Sequence, residues 1–186
     1  MGIAWARRHL LASWPADRVR PAEETPPGHR FELGTQSHEA VAGFVATVEY
    51  LASLGSGLDR PSRLDSAFTR IQAHEDDLAR RFLVGLDDVP GVRLHGIADP
   101  ERVGERTPTF CVTLDAHEPR AVAERLAEHG INVWDGNYYA PDLMTRLGLD
   151  AHGGAVRIGF LHYTSADEVD RVLTALRSVS GRLGNR

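Results

Sequence analysis

The residues able to do chemistry are unevenly supplied in this 186-residue chain. All 21 Lys-or-Arg positions are arginine, so any mechanism that needs a lysine amine is excluded within the chain. Coding bias is a sufficient cause, because alanine and arginine are abundant together, but the chemical consequence stands. There is one cysteine, Cys111, which rules out an intramolecular disulfide or a cysteine-based metal cluster. It sits between Phe110 and Val112, where a buried thiol behaves as a small hydrophobe. The nine histidines show neither HExxH nor His-x-His spacing, so no metal site is expected. His38 and His74 fall on predicted helices and are expected to face solvent. Arg157 lies between Val156 and Ile158, and in a strand it must point away from the face those two bury. A surface-paired arginine and a ligand-binding one both fit that pattern. The run Gly34-Thr35-Gln36-Ser37 precedes a helical pattern, and Thr35 or Ser37 there reads as a helix cap.

The elements that must carry these residues follow from periodicity. Residues 2–6 are expected as a short strand, followed by a helical turn through Trp14. Residues 15–28 carry four prolines and predict a loop. Val41, Phe44, Val45, Val48 and Leu51 recur at helical spacing over residues 38–54, and Gly55 is expected to stop that helix in the left-handed position. Pro61 and Ser62 open a longer helix marked by Leu64, Phe68, Ile71, Leu78, Phe82 and Leu86, closed by Pro90-Gly91. Strands then alternate with helices. Strands are expected at residues 92–95, 109–114, 131–134 and 155–160, with helices at 118–129 and 165 onward and a helical turn at 142–147. Ser165 followed by Glu168 is a capping box. The predicted fold is α+β, a small sheet with helices on one face plus a long-helix connector. Composition is ordinary for a globular chain, at 42% hydrophobic and 25% charged. A net charge of -5 points to no nucleic-acid or anionic membrane partner. No apolar stretch approaches a membrane span of about 20 residues, and a cytoplasmic protein is expected.

Several runs, in order, carry a resemblance. RFELGTQSHEAVAGFVATVEYLASLG resembles the interdomain segment of class V aminotransferases and cysteine desulfurases. RTPTFCVTLDAHEP, LAEHGINVWDGNYYAPDLMTRLGL and GGAVRIGFLHYTSADEVDRVLTAL continue the match over nearly the whole chain. The resemblance implies the C-terminal small domain of a fold type I enzyme dependent on pyridoxal 5'-phosphate (PLP). Residues 1–35 would be a remnant of the large cofactor-binding domain and its linker, 36–90 the interdomain helices, and 91–186 the small domain.

The resemblance also implies roles. Gly34, Thr35 and Gln36 would reach the cofactor phosphate of a dimer mate, where backbone donors and a helix dipole converge on an anion. Arg157 would grip the α-carboxylate of an amino-acid substrate through its bidentate fork. Asn137, Tyr138 and Tyr139 would line the substrate pocket. Desulfurases hold a nucleophilic cysteine in that loop; this chain has Tyr139 at the corresponding place, which puts a persulfide route in doubt. His162 beside Tyr163 matches the family ending without an assigned role. The family's Schiff-base lysine would precede the segment resembling MGIAWARR, so the chain is expected to be inactive alone. Its expected partners are a second copy or a complementing N-terminal half. A non-catalytic domain for dimerisation or protein binding remains the alternative. With no large domain, Phe44, Val48, Phe68 and Ile71 are expected to lack full cover.

Overall fold

The computed structural model describes residues 2–17, 25–32 and 34–181, which fall into two compact units, Met1–Ala67 and Phe68–Arg186. In the first unit, α1 (Arg8–Ser13) is short. Arg30 ties it to the 3-10 turn Pro27–Phe31 by donating to the Leu11, Ala12 and Trp14 carbonyls. Residues 2–6 form no strand: a strand needs a ladder partner for its N–H and C=O groups. Part of the proline-rich loop over residues 15–28 lies outside the described residues. Helix α2 (His38–Ser53) follows the predicted stripe, and α3 (Arg60–Leu86) begins one residue before the predicted Pro61. Asp59 caps α3, accepting from the Ser62 N–H at 2.9 Å.

Gly55 is not left-handed, contrary to the expectation from sequence. A Cβ there would stand 2.0 Å from the Arg63 carbonyl oxygen and 2.6 Å from the Ala67 nitrogen. Glycine is therefore needed because the corner after α2 presses on the first turns of α3, whose Ala67 is fully buried. The Arg60–Glu49 pair at 2.6 Å spans the same corner.

The second unit holds the sheet. Strands β1 (Val92–His95), β2 (Thr109–Leu114), β3 (Trp134–Gly136) and β4 (Ala155–Gly159) form an antiparallel sheet in the order β1-β2-β4-β3. Three helices, α3, α4 (Pro119–Glu128) and α6 (Ala166–Gly181), share one core with Phe110, Val112, Leu114, Val156 and Ile158. Phe82, Phe110 and Phe160 meet at its centre with ring centroids 4.5 to 5.8 Å apart. The predicted stripe of α6, Val169, Val172, Leu173, Leu176 and Val179, is buried there. The capping box forms as read: the Ser165 N–H donates to Glu168 at 2.7 Å, and the Glu168 N–H donates to the Ser165 hydroxyl at 3.3 Å.

Two further expectations shift. The strand predicted at 131–134 begins only at Trp134, because Ile131 and Val133 pack on the core without ladder pairing. His74 does not face solvent: its Nε2–H donates to the Thr164 carbonyl at 2.8 Å, pinning α3 to the turn before α6. On the sheet's second face, α5 (Pro141–Leu147) and the following turn bring Met144 and Leu149 over Ala155, a small second cluster beside Cys111 and Tyr138.

Candidate active-site face of the sheet

The second face of the sheet carries the polar chemistry. Register places His95 opposite Cys111, Cys111 opposite Arg157, and Arg157 opposite Trp134. Directly paired residues point to the same face, so these four form one row across all four strands. Arg157 is exposed while Val156 and Ile158 are buried, the direction that alternation predicts. Its guanidinium carbon lies 5.8 Å from the Trp134 ring centroid and 5.7 Å from that of Tyr138. Among the described residues it makes no ion pair, so its donor fork is open.

The loop after β3 shapes one wall. Asn137 accepts the Tyr139 N–H on its side-chain oxygen at 3.1 Å and the Ala140 N–H on its backbone oxygen at 2.8 Å. Tyr138 and Tyr139 are both left-handed, with φ of 52° and 59°, a conformation that costs a non-glycine residue about 1 kcal/mol or more. The two rings then part company. Tyr139 is 95% exposed, whereas Tyr138 packs on the Met144 cluster. The Tyr138 hydroxyl is buried beside the Cys111 thiol without a partner of good hydrogen-bond geometry. Burial first, and then the neighbouring thiol, push its pKa far up. Burial likewise raises the Cys111 pKa, so the thiolate needed for nucleophilic attack is disfavoured. Gly154 underlies the loop: a Cβ there would stand 2.2 Å from the Gly136 oxygen, and its φ of 89° is left-handed. A groove of about 520 Å³ runs along Trp134, Asn137, Tyr139, Asp150 and Gly153.

Gly34, Thr35 and Gln36 lie in the first unit, exposed at the head of α2. The expected cap is not formed there. Ser37 makes no capping bond and its hydroxyl instead donates to Glu39 at 2.8 Å. Gly34 has φ 78° and open space above it, and neither Thr35 nor Gln36 spends its side chain on a hydrogen bond among the described residues. This donor-rich turn suits a phosphate. The chain's sequence supplies no lysine to go with it. No group of three or more histidine, cysteine or acidic side chains is placed to hold a metal among the described residues. No described helix is long and apolar enough to cross a membrane. Sequence reasoning had missed Trp134 as a neighbour of Arg157.

The architecture is shared with enzymes of fold type I. An apo cysteine desulfurase from Thermococcus onnurineus superposes with a TM-score of 0.77 at 23% identity, over 96% of this chain and 42% of that one. The chain belongs to the class V aminotransferase family, described as Aminotransferase class-V, which it matches over residues 1–172. A probable cysteine desulfurase of Mycolicibacterium paratuberculosis is 32% identical over 92% of this chain and 22% of its own length. One from Pseudomonas aeruginosa is 34% identical over 95% of this chain and 41% of its own length. A third, from Streptomyces coelicolor, is 27% identical over 99% and 42%. The chain thus spans less than half the length of these curated relatives.

Proposed function

We propose that this chain contributes the carboxylate clamp and the phosphate-reaching turn of a PLP-dependent enzyme acting on an amino acid, and is inactive alone. The observation that carries the reading is the open, outward guanidinium of Arg157 on a face walled by aromatic rings. Arg157 binds the α-carboxylate, and Asn137, Tyr138 and Tyr139 border the substrate. Gly34, Thr35 and Gln36 donate to the cofactor phosphate of a dimer mate. Bound PLP supplies the electron sink for chemistry at the amino acid's α-carbon. Its lysine must come from polypeptide other than these 186 residues. Residues 1–35 then belong with the cofactor domain, 36–90 connect, and 91–186 form the small domain.

The clamp fixes which end of the substrate is held, and the Trp134 and Tyr138 rings flank it. Desulfuration through a persulfide is not part of the reading. Tyr139 stands where the desulfurase cysteine would be, and Cys111 is half-buried with a raised pKa. A homodimer is the proposed assembly, supported by the apolar stripe that α2 leaves exposed at Val41, Phe44 and Val45.

The experiment is complementation in trans. The purified chain is mixed with PLP and the portion of the Streptomyces coelicolor relative that this chain does not span, as a separate polypeptide. Borohydride should then fix the cofactor to a lysine of that polypeptide. Adding L-alanine should change the cofactor absorbance only when this chain is present, and less so with Arg157→Gln. An identical response without this chain contradicts the proposal.

A further inference from the structure

We infer that Trp134 is a positioning residue, one that restrains the Arg157 guanidinium while leaving its donors free for a carboxylate. The inference rests on the clamp reading of Arg157 and adds a role that the motif itself does not contain.

An exposed arginine on a strand is long and mobile, and gripping a ligand costs it rotamer freedom. An acidic neighbour would restrain it but would occupy the donor fork. Ring faces restrain it differently, by attracting the planar cation without using any N–H group. Arg157 has the second arrangement. Trp134 is its direct cross-strand partner on β3, with the guanidinium carbon 5.8 Å from the indole centroid. Tyr138 supplies the second ring at 5.7 Å, turned back by the left-handed pair at residues 138 and 139. The Tyr138 hydroxyl is buried beside Cys111, which fixes that ring, whereas Trp134 stays 54% exposed. The half-exposed Trp134 ring is thus available to the guanidinium of Arg157, which makes no ion pair among the described residues.

The test uses the full chain and side-chain NMR. The Nε–Hε signal of Arg157 should be more ordered than that of exposed Arg146, and shifted by ring currents. Trp134→Leu keeps an apolar side chain but removes the π face. It should let Arg157 become as mobile as Arg146 and weaken L-alanine binding roughly two- to fivefold. Trp134→Phe should recover most of both, and melting temperatures should stay together. The inference is overturned if Arg157 is as mobile as Arg146 in the unaltered chain, or if Trp134→Leu changes neither quantity. Unchanged L-alanine binding by Arg157→Gln would instead overturn the clamp reading. The order measurement needs no ligand, so the two failures are distinguishable.

Discussion

The buried hydroxyl of Tyr138 lies against the thiol of Cys111, a weak partner, and makes no hydrogen bond of full geometry. A buried polar group left unsatisfied costs about 1–3 kcal/mol. Tyr138→Phe keeps the ring beside Arg157 and removes the orphan. It is expected to stabilise the chain by roughly 1 kcal/mol, raising the melting temperature by about 2–4 °C. Thermal unfolding checks this, and a clear loss of stability would mean that the hydroxyl has a partner in solution.

Tyr139 combines a left-handed backbone with a ring that is 95% exposed. Replacing it with glycine removes steric strain and little packing, offset in part by the greater freedom of the unfolded chain. Tyr139→Gly should gain about 0.5 kcal/mol. Urea unfolding with an unchanged m-value is the measurement, and destabilisation would show that the ring packs on something.

Phe82 is fully buried between Phe110 and Phe160, where α3 meets the sheet. Phe82→Ala removes aromatic contacts and leaves a cavity, and should cost about 3–5 kcal/mol. A cost below about 1 kcal/mol, read from denaturant unfolding, would place that ring outside the core.

Stability should fall with acid in two stages. Burial first, then Arg93, lowers the His95 pKa, so folding favours neutral imidazole. Its contribution declines as pH drops below about 6.5. The carboxylates of Glu168, Asp59 and Asp170 are lowered chiefly by hydrogen bonds from Ser165, Ser62 and Arg81. Their contribution is complete above the ordinary range near 4 and is lost as pH falls through the lowered folded values. Glu168→Gln should make the acid limb of a urea-midpoint profile shallower. An unchanged limb would mean that the capping box carries no proton linkage.

Much of the fold was legible because its signals are local. Ser165 and Glu168 announced the start of α6, and alternation around Arg157 fixed which way that side chain points. The failures share a cause. The alternation at residues 131–134 reported burial, which Ile131 and Val133 achieve without joining the ladder. Gly55 read as a left-handed stop, but it answers a close approach by Arg63 and Ala67. His74 meets Thr164 across 90 residues of sequence, beyond the reach of any local pattern. The aromatic walls of Arg157 were hidden for the same reason: they depend on the register of β3 against β4, and hence on where β3 begins.

The measurement closest to the central claim compares L-alanine with ethylamine, the same molecule without its carboxylate. Each is titrated into the chain while the Arg157 side-chain signal is followed by NMR. A carboxylate clamp predicts that L-alanine shifts the signal with saturation, that ethylamine does not, and that Arg157→Gln abolishes L-alanine binding. Equal responses to the two ligands, or undiminished binding by Arg157→Gln, would contradict it.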